Sequence, residues 1–90
     1  MNIIVFDTET IGVEKAFCYD LGYVVVNVES KTIIAKREFV IEQVWSNKAL
    51  FETAYYADKK PLYVSKLRGR KARLTNWGSA IGAMMKDIKQ

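Results

Sequence analysis

The stretch Asn2-Ile3-Ile4-Val5-Phe6 constrains this chain more than any other, because it is β-branched and aromatic with no polar alternation. That is the pattern of a strand covered on both faces, which places it inside a sheet. The run ends on two carboxylates, Asp7 and Glu9, one residue apart. Side chains at i and i+2 of an extended chain share a face, so the two acids sit side by side if Thr8 stays extended. There they repel one another unless a cation lies between them. Oxygen donors of this kind suit Mg²⁺ or Mn²⁺, and two such ions about 4 Å apart can activate a water and stabilise the leaving oxygen of a phosphodiester. The alternative is that Asp7 and Thr8 cap a turn and Glu9 is solvated. Spacing alone leaves both open.

Past a loop marked by Gly12 and the polar pair Glu14-Lys15, Phe17 to Val28 reads as a second strand and Thr32 to Ile41 as a third. The short polar link Glu29-Ser30-Lys31 predicts that these two form an antiparallel hairpin. In the third, Lys36, Glu38 and Glu42 alternate against Ala35, Arg37, Phe39 and Ile41, which predicts one wet face and a place at the sheet edge. From Gln43 the period turns helical, with Val44, Trp45, Leu50, Phe51, Ala54 and Tyr55 on one side, and Pro61 is expected to break this region or open a new turn. Leu67, Leu74, Ile81 and Ile88 recur every seven residues, joined by Trp77 and Met84. This spacing predicts one long amphipathic helix, weakened at Gly69, Gly78 and Gly82 by about 1 kcal/mol each relative to alanine. The expected fold is α+β: a three-stranded antiparallel sheet followed by helices.

Ninety residues, half of them apolar, suffice for one domain spanning residues 1–90. No apolar run approaches the length of a membrane span, and Asp7 and Glu9 interrupt the only stretch that could open a signal peptide. A single cysteine, Cys18, allows no intrachain disulfide and fits a reducing cytoplasm; with no histidine in the chain to activate it, it reads as a packed strand residue. The net charge of +4 is concentrated in Lys66, Arg68, Arg70, Lys71 and Arg73. Such a cluster is either the solvated face of a helix or a phosphate-contacting surface. Trp45, Tyr55, Tyr56, Tyr63 and Trp77 offer rings that stack on bases or, at helical spacing, build core.

Asp7-Thr8-Glu9-Thr10-Ile11-Gly12 resembles the first motif of the DEDD 3′ to 5′ exonucleases, the proofreading branch of the ribonuclease H-like fold, and particularly its small phage-encoded members. The likeness extends to Tyr19-Asp20-Leu21-Gly22-Tyr23-Val24-Val25-Val26-Asn27 and to residues 54–64. It implies that Asp7 binds both metals (Mg or Mn) and Glu9 one, with the backbone around Thr8 and Thr10 approaching the 3′ end of DNA or RNA. It also implies a central first strand that pairs on its far side with a parallel strand. Two further carboxylates and a general-base histidine, or a tyrosine four residues before an aspartate, belong to the family's later motifs. This chain has neither, and Asp20 reads as structural, Asp58 and Asp87 as solvated.

The expectation is therefore the N-terminal half of a truncated, ribonuclease H-like exonuclease fold, with a weak or incomplete metal site and little hydrolase activity alone. The unoccupied side of its first strand is then expected to pair with a second copy as a homodimer. The alternative is a phage-derived binding module in the host cytoplasm, acting as an anti-CRISPR-like inhibitor of a host or defence protein or as a nucleic-acid binder through Lys66, Arg68, Arg70, Lys71 and Arg73.

Overall fold

Three long strands, β1 (Asn2–Ile11), β2 (Phe17–Asn27) and β3 (Thr32–Ile41), pair antiparallel in chain order in the computed structural model, which describes residues 1–11, 17–54 and 57–90. The loop expected around Gly12 to Lys15 and the rings of Tyr55 and Tyr56 lie outside the described residues. A short fourth strand, β4 (Arg73–Thr75), runs parallel to the end of β3 and pairs with Phe39, Val40 and Ile41. The sheet is thus four-stranded and mixed, in the order β1-β2-β3-β4.

Two strand placements differ from the sequence reading. β3 is internal, because β4 covers its last three residues, and those residues are the buried ones. β1 is the edge: Ile3, Val5 and Phe6 are 43%, 62% and 60% exposed, so the unbroken apolar run does not mark a strand covered on both faces. Among the described residues it pairs only with β2.

The helices are short: α1 (Glu42–Trp45), α2 (Lys48–Phe51), a 3-10 turn at Ala57–Lys59, α3 (Lys60–Arg68) and α4 (Trp77–Ile88). Pro61 sits in the first turn of α3, where its missing N–H has no helical partner to lose. The single long helix expected from the seven-residue repeat does not form. α3 stops at Gly69, whose N–H bonds back to Ser65 O at 2.9 Å, and Arg70 adopts a left-handed φ of 57° that turns the chain away. Asn76 then restarts a helix by accepting a bond from Ser79 N at 2.8 Å, which satisfies one of the free N–H groups of the first turn. Leu67 and Ile81 consequently serve two different cores, while Leu74 lies on β4, 41% exposed.

Alternation along the strands divides the sheet into two faces. On one, Leu21, Tyr23, Val25, Phe39 and Ile41 pack under Ala80 of α4, flanked by Ile81, Ala83 and Met84. Burying each of these larger side chains contributes about 1.5–3 kcal/mol, which is what holds a glycine-containing helix in place. On the other face, one end is covered by a cluster of Ile11, Tyr19, Val40, Val44, Phe51 and Tyr63. Its rings meet edge to face, Tyr19 on Phe51 at 5.5 Å and Trp45 on Phe51 at 5.1 Å, a geometry that favours aromatic pairs. Trp45 and Tyr63 therefore belong to core packing, and Trp77 is 41% exposed. A bulge brings Tyr19 into this cluster. The β1–β2 register steps from Glu9↔Asp20 to Thr10↔Cys18 and skips Tyr19.

Asp87 corrects another expectation. It is 3% exposed, and its carboxylate accepts bonds from Tyr23 Oη at 2.6 Å and Arg37 Nε at 2.6 Å. No helix among the described residues is long and apolar enough to cross a membrane.

Candidate functional site

The β1–β2–β3 register fixes where the acidic pair lies. Asp7 is opposite Gly22, which is opposite Glu38 on the next strand; Glu9 is opposite Asp20, which is opposite Val40. Residues directly opposite share a face, so Asp7, Glu9, Asp20 and Glu38 all lie on the face away from α4. Residues 7 to 9 are in regular register, and the bulge follows Glu9. The two carboxylates of the motif are therefore neighbours on one side of an extended strand, Asp7 exposed and Glu9 half-buried.

Gly22 leaves the middle of this arrangement without a side chain. A groove of about 640 Å³ opens there, lined by Asp7, Gly22, Val24 and Glu38 together with Lys36, Lys66 and Lys71. A smaller hollow of about 180 Å³ joins Glu9 and Asp20 to Lys59, Tyr63 and Lys66 of the helical side. α3 supplies the cover: Tyr63 Oη donates to Asp20 Oδ2 at 3.0 Å, and Lys66 Nζ donates to both oxygens of Glu38 at 3.1 and 3.2 Å.

Electrostatically, Asp20 is the unusual acid. Burial pushes its carboxyl up to about 7, and the nearby negative charge of Glu38 pushes the same way, against the Tyr63 hydrogen bond and the charge of Lys66. Near neutral pH it therefore holds a proton for part of the time. Burial and the Asp20 carboxylate in turn raise the Tyr63 hydroxyl. Cys18 is half-buried, its thiol donates to Asp20 O at 3.3 Å, and burial raises it, which keeps it protonated and unreactive.

The structure separates other candidates that the sequence grouped. Thr8 is opposite Leu21, so its side chain lies on the α4 face, away from Asp7 and Glu9. Thr8 and Thr10 line a different hollow of about 520 Å³ with Cys18, Val44 and Trp77. The five cations are not one helix face. Lys66 and Arg68 end α3, Arg70 and Lys71 form the following turn, and Arg73 is on β4. Lys66 is paired with Glu38, which leaves Arg68, Arg70, Lys71 and Arg73 exposed.

Sequence reasoning missed the positive cleft that this turn helps to build. Lys36, Arg37, Arg70, Lys71, Arg73 and Lys86 line a hollow of about 600 Å³, with Glu38 and Asp87 as its acids. Lys36, Arg37 and Lys86 are distant in sequence from the 66–73 cluster, so only the β3–β4 pairing and the return of α4 could reveal them. A concave surface whose lining is net positive attracts an anionic ligand.

As a donor set, Asp7 and Glu9 offer hard oxygens suited to Mg²⁺ or Mn²⁺. Among the described residues, no group of three or more His, Cys, Asp or Glu is placed to hold a metal ion. Asp20 and Glu38 are held by Tyr63 and Lys66 instead. The arrangement thus provides two free carboxylates beside a groove containing lysines, with a separate basic cleft between β3, the 70–73 turn and α4. No family model, curated protein or solved structure matches this chain.

Proposed function

We propose that this chain is the first-motif half of a metal-dependent 3′ to 5′ exonuclease-type domain, which binds a nucleic-acid end and lacks turnover by itself. The observation that carries this reading is the placement of Asp7 and Glu9 side by side on an open sheet face, in regular strand register, next to a groove lined by Lys36 and Lys71. Asp7 and Glu9 would hold Mg²⁺ or Mn²⁺ weakly, since two carboxylates leave most of the coordination shell to water and phosphate. A divalent ion bound there supplies charge that neutralises phosphate oxygens. The chain's own residues do the rest. Lys36 and Lys71 attract the phosphate backbone, and Arg70 and Arg73 extend that contact along the cleft. Tyr63 and Lys66 hold Asp20 and Glu38 away from the ion.

The test is a Mn²⁺ titration followed by calorimetry and by paramagnetic line broadening, on wild type and Asp7→Ala. Asp7 is exposed, so the variant keeps its fold. Wild type is expected to show weak saturable binding with broadening centred on residues 7 to 9 and 22, and Asp7→Ala to lose it. Identical titrations of the two proteins would refute the metal role.

A further inference from the structure

The outer edge of β1 has no strand against it among the described residues. Its phase can be read from one bond: Val28 N donates to Met1 O at 3.0 Å. Residues that bond across an antiparallel ladder alternate. Ile3, Val5 and Asp7 therefore turn their N–H and C=O groups toward β2, while Asn2, Ile4, Phe6 and Thr8 turn theirs to the open edge. Proteins usually blunt such an edge with proline, lysine or a bulge. Residues 2 to 8 contain no proline or lysine, and the bulge comes only after Glu9.

We propose that two copies of this chain join β1 to β1 antiparallel, across a two-fold axis through Val5, to make one continuous sheet. In this register the strand is its own complement. Asn2 meets Thr8 of the second copy and Ile4 meets Phe6, so all four outward-facing residues pair and about eight backbone hydrogen bonds form. Centring the axis on Ile4 leaves Thr8 unpaired, and centring it on Phe6 sets Asn2 against Thr10, beyond the step in the β1–β2 register. Side chains agree with the backbone. Val5, 62% exposed, meets its own copy, and Phe6, 60% exposed, lies over Ile4 of the copy. Asp7 falls opposite Ile3, which keeps the two Asp7 carboxylates about 13 Å apart along the strands. A register centred on Asp7 would set like charges directly opposite, which is destabilising.

The register makes the test specific. Val5 faces Val5 in a non-hydrogen-bonded pair, with Cα atoms about 4.5 Å apart, within disulfide range. In a Cys18→Ser background, Val5→Cys is expected to oxidise almost completely to a covalent dimer, and Ile3→Cys and Asp7→Cys to remain largely uncrosslinked. Wild type in EDTA should sediment at twice its 10.3 kDa mass as concentration rises. Phe6→Pro removes one outward N–H and no bond to β2, so it should sediment as a monomer with an unchanged far-ultraviolet spectrum. A wild type that stays monomeric throughout the series would overturn the proposal. So would a dimer that crosslinks better through Asp7→Cys than Val5→Cys, or one that survives Phe6→Pro. The absence of metal in these experiments keeps their outcome separate from that of the Mn²⁺ titration.

Discussion

Replacing Asp87 with alanine should destabilise the fold by about 3 kcal/mol, and the reason lies in how α4 is fastened to the sheet. Asp87 is in the last turn of α4, where the helix dipole disfavours a negative charge, yet it is 3% exposed. Two donors compensate. Tyr23 and Arg37 lie opposite one another on β2 and β3, and both bond the carboxylate, so the three side chains clamp the helix to the middle of the sheet. The Arg37 guanidinium is the main influence holding the Asp87 carboxyl below its ordinary range, and the Tyr23 hydroxyl helps against the opposing effect of burial. Asp87→Ala leaves the Tyr23 hydroxyl without its acceptor in a residue only 2% exposed, costing about 1–3 kcal/mol. It also deprives Arg37 of its partner. The Arg37 side chain is 50% exposed and rehydrates, which sets the total near the low end of the roughly 3–5 kcal/mol for breaking a buried pair. At about 4–8 °C per kcal/mol for a domain of this size, the melting midpoint should fall by roughly 15 °C. Urea unfolding followed by circular dichroism measures this, with exposed Asp58→Ala as a control expected within about 0.5 kcal/mol of wild type. Tyr23→Phe should cost about 1.5 kcal/mol alone and almost nothing in the Asp87→Ala background. An Asp87→Ala protein as stable as the Asp58→Ala control would refute the clamp.

Three further expectations follow from the same geometry. The native Asp20 carboxyl keeps its proton up to about pH 7, whereas in the unfolded chain it loses it near 3.8, so the native state binds more protons between those values and stability should fall as pH rises through that window; Asp20→Asn should flatten this slope in urea melts, and an unchanged slope would place the titration elsewhere. Charge reversal of Arg70 and Arg73 to glutamate should weaken single-stranded oligonucleotide binding and reduce its salt dependence, measured by fluorescence anisotropy at several ionic strengths; identical salt slopes would make this cleft irrelevant to phosphate. Asn76→Ala should lower stability by about 1 kcal/mol because the side chain caps α4, whereas in an uninterrupted helix alanine would raise it.

Much of the fold was legible before the structure. The three antiparallel strands, the hairpin at Glu29 to Lys31 and the role of Pro61 follow from local chemistry, because each depends on residues adjacent in sequence. What was not legible depends on contacts between distant segments. The seven-residue spacing of Leu67, Leu74, Ile81 and Ile88 imitates a helix stripe, but the period is blind to termination. Gly69 and Asn76, an ordinary stop signal and an ordinary cap, carried the contrary information within the same stretch. β4 consists of three residues between those signals, too short for any period to register. The apolar run of β1 suggested a central strand because composition cannot distinguish an exposed edge from an interior. For the site, i and i+2 spacing located Asp7 and Glu9 on one face. The placement of Asp20 and Glu38 beside them needed the strand register, and that of Lys36, Arg37 and Lys86 needed the return of α4. Asp87 read as solvated because it lies near the end of the last helix, and nothing local points to Tyr23 and Arg37.

The two helices that flank the sheet explain why the acids remain accessible. α4 has twelve residues and extends about 18 Å, enough to cover the central strands on its face. α3 has nine and reaches only the end of the opposite face, where Tyr63 stands over Asp20 and Lys66 over Glu38. Beyond that point the face from Asp7 to Val24 is uncovered. The inner acids, under α3, are compensated by a proton and an ammonium group, while the outer pair on β1 has no ion-pair partner among the described residues. In the β1-joined dimer a two-fold axis normal to the sheet would carry both open faces to the same side, with the Asp7 pair separated by about 13 Å. That is too far for two carboxylates to share one ion at the 2.0–2.6 Å ligand distances of Mg²⁺ or Ca²⁺. Metal stoichiometry should therefore be the same per chain in wild type and in monomeric Phe6→Pro. Half the stoichiometry in the dimer would mean that the strands join in a register that brings the acids together.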